Sequence, residues 1–93
     1  MMSEIAHDAA RHRFETVVDG EHCTLDYELA GGIMTITHTR VPEAVGHRGI
    51  AAALMEAALA HARAKAWRVV PQCAYAVHYF AEHPESADLL AGA

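Results

Sequence analysis

The sequence predicts an α/β domain with a mixed sheet, its elements in the order βββ-α-β-α. Three observations carry this. Residues 22–29 alternate polar and apolar; residues 50–66 are alanine-rich with apolar positions at helical spacing; and a short strand-like run follows at 67–70. The helix between residues 39 and 67 then has the form of a crossover joining parallel strands. At 93 residues, 53% hydrophobic and 20% charged, the chain makes one small domain, able to bury about two thirds of its unfolded surface without staples.

Residues 1–12 read as a polar leader, and the domain as 13–93. Arg13–Val18 is a strand candidate, and Asp19-Gly20 is a hairpin signal. Cys23, Leu25, Tyr27 and Leu29 alternate with His22, Thr24, Asp26 and Glu28, which predicts a half-buried strand. Ala30-Gly31-Gly32 turns the chain into Ile33–Thr39, with Met34, Ile36 and His38 expected on one side. These three strands form an antiparallel meander. Pro42 ends the ladder because it has no N–H to donate. In Ile50–Ala66 alanine fills nine positions, and it is the strongest helix former. Ile50, Ala53, Leu54, Ala57, Ala58 and His61 are the expected packed face, and Arg63 and Lys65 suit the negative end of the helix dipole. Trp67–Val70 is a strand closed by Pro71. Ala74–Glu82 is a second helix ending before Pro84, and Ser86–Leu90 is a last helical turn.

Composition excludes several classes. No apolar run approaches the ~18–20 residues that span a bilayer, and Met1–Arg13 lacks the apolar segment of a secretion signal. Cys23 and Cys73 lie far apart, neither in a CxxC pair, which argues against a disulfide scaffold or zinc module and for a cytoplasmic chain with free thiols. Eight histidines show no HExxH spacing, so no metal is expected. The net charge of −5 disfavours nucleic acid and anionic membrane as partners. It divides as −5 over residues 1–39, +3 over 40–72 and −3 over 73–93. A basic middle third in an acidic chain suggests a local anion site.

That third contains Gly46-His47-Arg48-Gly49-Ile50-Ala51-Ala52, a glycine-bearing loop leading from a strand into a helix. The first amides of a helix have no partner within it and sit at the positive end of its dipole. Gly49 and Ala51 allow a phosphate close approach, and Arg48 adds a donor fork. The pattern suits a diphosphate. It lacks the Gly-Lys-Ser/Thr of a Walker loop and the acidic ribose reader of a dinucleotide fold.

This loop resembles motif A of the GNAT superfamily of acyl-CoA-dependent N-acetyltransferases, in which Gln or Arg is followed after two residues by Gly, and two further on by Gly or Ala. More narrowly, the chain resembles the short YjdJ-like branch. The matching stretches are His38-Thr39-Arg40-Val41-Pro42, Gly49-Ile50-Ala51, Val69-Val70-Pro71-Gln72-Cys73 and Tyr79-Phe80-Ala81-Glu82-His83-Pro84-Glu85, in order and in register. Gly46 stands where the family often has Arg or Gln, and Ala66 or Trp67 where it often has Gly. With no long polar side chain at position 46, Arg48 and His47 are the residues that would reach the phosphate in its place.

The resemblance implies an acetyl-CoA-dependent N-acetyltransferase acting on a small-molecule amine or a protein amino group, as a monomer or weak dimer. The cofactor would lie between the strands Ile33–Thr39 and Trp67–Val70, with its diphosphate on residues 46–52. Backbone groups of Arg40, Val41 and Val70 would pair with the pantetheine amides. Cys73 opens the second helix, where the dipole favours a thiolate. It would either take the acetyl group covalently or line the pocket while the amine attacks directly. Tyr79 is placed to return a proton to the departing thiolate. His38 is a candidate base but lies on an apolar strand face, where a buried, hydrogen-bonded histidine is the commoner outcome. Glu43, Glu82 and Glu85 are carboxylates suited to a cationic acceptor. The rival functions are a non-catalytic CoA-binding module and a protein-interaction domain that binds no ligand.

Overall fold

Two tight hairpins join the three longest antiparallel strands of the sheet. The computed structural model describes residues 4–92. In it, β2 (Arg13–Val18) reverses through Asp19-Gly20 into β3 (Glu21–Ala30), which reverses through Gly31-Gly32 into β4 (Ile33–Arg40). All four turn residues have positive φ, 50° and 79° in the first turn and 56° and 75° in the second. A two-residue type I′ turn demands this, because only that hand matches the twist of the strands it joins. A 3₁₀ helix at Glu43–Val45 leads to α1 (Ile50–Lys65), then β5 (Arg68–Pro71), α2 (Ala74–Glu82) and a second 3₁₀ helix at Pro84–Leu89. β5 pairs parallel to β4, from Ile33↔Arg68 to Ile36↔Pro71. The expected mixed α/β sheet with a crossover helix is therefore present.

The sheet also has a strand that the sequence reading placed in the leader. β1 (Ala6–Asp8) pairs antiparallel with β2, so the strand order is β1-β2-β3-β4-β5. Residues 1–3 of that leader lie outside the described residues. Three residues are too few to show a periodicity, and besides its ladder with β2 the strand is anchored by the His7 side chain. The His7 ring stacks on Phe14 with centroids 4.1 Å apart and meets His61 edge-on at 4.4 Å. Its Nε2 lies 2.6 Å from the Tyr27 hydroxyl.

One face of the sheet makes the core. Phe14, Val18, Cys23, Leu25, Tyr27, Met34 and Ile36 are buried on it under α1. The buried face of α1 is Ile50, Leu54, Met55, Ala58, Leu59 and Ala62. This turns the helix relative to the expected face, because Ala53, Ala57 and His61 are only partly buried. Alanine offers little apolar area, so the larger Met55 and Leu59 decide which side is covered.

The register of β4 changes at one point. Asp26 lies opposite His38, but Tyr27 lies opposite Ile36, which leaves Thr37 as an extra residue on β4. This β-bulge reverses the alternation beyond it. His38, expected on the face of Met34 and Ile36, is thereby turned to the other side and is exposed. The Thr37 hydroxyl donates to the Asp26 carbonyl at 3.3 Å across the irregularity.

The end of α1 explains another departure. Trp67 N–H donates to Ala62 O at 2.8 Å and Ala66 N–H to Arg63 O at 3.1 Å, a Schellman closure with Ala66 at φ 59°. Trp67 is thus spent on the cap, and the strand runs from Arg68 to Pro71 rather than from Trp67 to Val70. At the far end, the Arg63–Asp88 ion pair and an Arg68 guanidinium bond to Asp88 O tie Pro84–Leu89 down. Ala91 N–H then bonds to Val69 O at 2.9 Å.

Both the cap and the His7 anchor have measurable consequences. A left-handed alanine costs about 1–2 kcal/mol that glycine does not incur, and glycine's larger unfolded-state entropy takes back about 0.4–1 kcal/mol, so Ala66→Gly should raise the urea midpoint with a net gain of about 0.5–1 kcal/mol. His7 has its pKa lowered, first by burial and then by His61, with Asp8 opposing. The native state thus favours neutral His7, and the unfolded chain takes up this proton at higher pH. Stability should therefore begin to fall near the ordinary histidine value and stop falling, for this group, below the lowered one. His7→Gln should flatten the difference in thermal midpoint across that window.

Candidate functional site

The parting of β4 and β5 creates the site. Pairing stops at Ile36↔Pro71; the β5 amides that face β4 are those of Arg68, bonded to Gly32 O, and Gln72, bonded to Ile36 O, so the N–H that Pro71 lacks lies on the other edge. Ile36 O accepts both the next two amides, Gln72 N–H at 3.0 Å and Cys73 N–H at 3.1 Å. Those two bonds bend the chain away from β4 and into α2, with Cys73 at its N-cap. Beyond Ile36 and the bulged Thr37, His38, Thr39 and Arg40 pair with β3, and Thr37–Arg40 has no strand on its other side among the described residues. That edge offers backbone donors and acceptors to a ligand.

A cavity of about 550 Å³ lies at the parting. The outward face of the sheet supplies Arg13, Thr24, Asp26, His38 and Arg40; the start of α2 supplies Cys73, Ala74 and Tyr75; Thr39, opposite Leu25 in register, completes the lining. The bulge accounts for this grouping. Without Thr37 as an extra residue, His38 and Arg40 would face the core. They stand instead in two cross-strand rows, Arg13–Asp26–His38 and Glu15–Thr24–Arg40. Arg13 holds Asp26 through Nε at 2.7 Å and Nη2 at 3.4 Å. No such ion pair engages Arg40 among the described residues.

Cys73 is partly buried, its Sγ 3.6 Å from Thr39 Oγ1. Cys23 is buried on the sheet face, as its alternation indicated, and burial pushes its thiol pKa up. Tyr79 is buried, stacked on His83 at 3.9 Å, and is not part of the cavity wall. Tyr75, which reads in sequence as one of several packing aromatics, does line it. Burial raises the pKa of both phenols, with Tyr79 and Glu56 adding to it at Tyr75 and Glu56 at Tyr79. Both therefore keep their protons at neutral pH. Glu43, Glu82 and Glu85 do not line the cavity.

The glycine loop follows the C-terminal end of β4. Val45 N–H bonds to Pro42 O and Gly46 N–H to Glu43 O, which close the 3₁₀ turn. His47 and Gly49 are left-handed, at φ 62° and 78°, with Arg48 between them. Gly49 is the N-cap of α1, and no side chain caps that end. The first helical bond is Ala53 N–H to Gly49 O at 3.0 Å, so the amides of Ile50, Ala51 and Ala52 have no partner inside the helix. The Arg48 guanidinium sits on the Asp19 carboxylate at 2.6 Å, across the loop on the β2–β3 turn, and lowers the pKa of that carboxyl. Arg40 and Val41 lead from the open edge into this loop. The structure thus gathers Cys73, Thr39 and Arg40 around the cavity and residues 46–52 at the helix start. A donor set of uncapped amides with a nearby guanidinium fits a diphosphate.

Sequence reasoning missed Arg13, Asp26 and Tyr75 as wall residues. The alternation of residues 22–29 already put Asp26 on the wet face of its strand, but the pairing with Arg13 depends on register, and the sequence does not show register.

Three comparisons bear on this geometry. The family model for GCN5-related N-acetyl-transferase matches residues 13–89. Comparison with curated proteins gives no match. Among solved structures, the chain is similar to the solution structure of a GCN5-like protein from Staphylococcus aureus assigned as an N-acetyltransferase, with a TM-score of 0.77 and 22% identity over 97% of this chain and 89% of that one. At that identity the likeness is one of fold.

The two cysteines should differ in reactivity. Brief treatment of the folded protein with iodoacetamide is expected to add a single carbamidomethyl group, at Cys73; peptide mapping that finds Cys23 modified as fast would contradict the placement.

Proposed function

The chain belongs to the GCN5-related N-acetyltransferase family, and on that premise we propose that it transfers acetyl from acetyl-CoA to an amine at the cavity where β4 and β5 part. The observation that carries this reading is the coincidence of three features along one path: uncapped amides at the start of α1, an open strand edge at Thr37–Arg40, and a cavity at its end. The four stretches in register support membership of the short YjdJ-like branch, and the free thiols suit the cytoplasm.

Acetyl-CoA, when bound, supplies an activated acetyl thioester. The amides of Ile50, Ala51 and Ala52, with Gly46, His47 and Gly49 shaping the approach, would hold its diphosphate. Arg48 would turn from Asp19 to reach it, a small loss because exposed ion pairs contribute little. The edge of β4 through Arg40 and Val41 would pair with the pantetheine amides as an added strand does.

Direct attack by the amine fits the cavity better than a covalent route. A nucleophilic thiol is activated by an adjacent base or by its surroundings; no base adjoins the Cys73 sulfur, whose hydrogen-bond neighbour is the Thr39 hydroxyl, so the start of α2 alone would have to activate it. Cys73 then lines the pocket. Tyr75 stands nearer the reacting end than Tyr79, and its protonated phenol can serve the departing thiolate in the role expected of Tyr79.

Calorimetry with CoA tests the binding half. Arg48→Ala should weaken CoA about tenfold, the loss of one charge-assisted hydrogen bond. Release of free CoA in the presence of amines tests the chemistry, and Cys73→Ser should keep most of that rate with no acetyl adduct in the intact mass of the wild-type protein. CoA binding without amine-dependent release would leave a binding module.

A further inference from the structure

The charge of the cavity wall identifies the class of acceptor. Two guanidinium groups face it, Arg13 and Arg40, against the single carboxylate of Asp26. Asp26 is already committed to Arg13 through two hydrogen bonds. Glu15, the next acid on that face, is separated from Arg40 by Thr24 in their cross-strand row and is not part of the wall. Among the described residues, this leaves Arg40 as a cation with no carboxylate of its own. A cationic acceptor would meet an uncompensated positive charge here, whereas the protein's overall charge of −5 would make anionic walls the default.

We infer that the acceptor is a small amine carrying an anionic group, which Arg40 binds while the amine faces the Thr39–Cys73 end of the cavity. This rests on the acetyl-transfer reading above and adds the substrate class to it. The spacing is favourable. Arg40 lines the same cavity as the Thr39–Cys73 pair, and its long side chain can place the guanidinium on an anion a few bonds from the amine. A guanidinium binds carboxylate or phosphate through two parallel N–H···O bonds, and that chemistry is common to amino acids and aminoalkyl phosphates. In the reaction, the lone pair of the neutral amine forms the new C–N bond to the acetyl carbon. The C–S bond breaks, and the proton lost from nitrogen ends on the CoA thiolate. The products are the N-acetylated anion and free CoA.

The test compares amines of matched size by CoA release: glycine, β-alanine and 4-aminobutyrate, then phosphoethanolamine, then neutral ethanolamine and cationic 1,4-diaminobutane. Anionic amines should exceed the other two in kcat/KM by about tenfold or more, the worth of one charge-assisted pair. Whether the carboxylate series or phosphoethanolamine leads separates the two anion sources. Arg40→Gln should collapse that ratio, Arg40→Lys should keep part of it, and Arg40→Glu should invert it. A binding readout independent of turnover is titration of the CoA-loaded protein with N-acetylglycine, followed by amide shifts at His38 and Arg40; N-acetylethanolamine should move them less. Equal or better use of neutral and cationic amines, a ratio indifferent to Arg40→Gln, or unmoved His38 and Arg40 signals would each overturn the inference while leaving acetyl transfer in place. Failure of every amine to release CoA would instead remove the acetyl-transfer reading, and this inference with it.

Discussion

The separation of two parallel strands after a four-residue partnership is the constraint on which the rest of the molecule turns. It is enforced by backbone chemistry. A single carbonyl, that of Ile36, takes both amides that follow Pro71, those of Gln72 and Cys73. Those bonds leave nothing for β5 to offer further along β4, so the chain departs into α2 and the last residues of β4 keep one side unpaired. The core tolerates this because its apolar weight lies elsewhere, in the meander and the inner face of α1. In most sheets an unpaired stretch is a defect to be covered; here it runs beside the cavity at the start of α2 and continues into the loop that begins α1.

The bulge at Thr37 works on the same strand in a different direction. It changes which side chains the parted strand presents, turning His38 and Arg40 outward beside Arg13 and Asp26. The segment thus has a backbone edge for recognition in the sheet plane and a charged face perpendicular to it. Few residues are involved, which is how a chain of 93 residues can form a fold and a site from the same elements.

How much of this the sequence discloses follows from the range of the forces involved. Local signals are readable: the paired turns at Asp19-Gly20 and Gly31-Gly32, the alternation through Cys23, Leu25 and Tyr27, and the helix formers after Gly49. So is the connection from strand to helix that the family motifs mark. Long-range register is not. A one-residue bulge reverses a face without altering composition, so His38 reads as a core residue. β1 has too few residues for a pattern, and its anchor, His7 against Phe14, Tyr27 and His61, is assembled from three other elements. The face of α1 escapes the periodicity because alanines carry helical propensity with little weight in packing. The Arg13–Asp26 pair depends on the β2–β3 register, and Tyr75 is distinguished from Tyr79 only by where α2 begins.

The open edge of β4 also has a bearing on self-association. Unpaired N–H and C=O groups accept any extended polypeptide, whether a cofactor's amides or a neighbouring copy of the chain. Three features here discourage the second: the stretch is short, the bulge twists it, and a guanidinium projects from its end. An occupied edge would have no such exposure, so ligand and colloidal behaviour are linked through one short run of backbone.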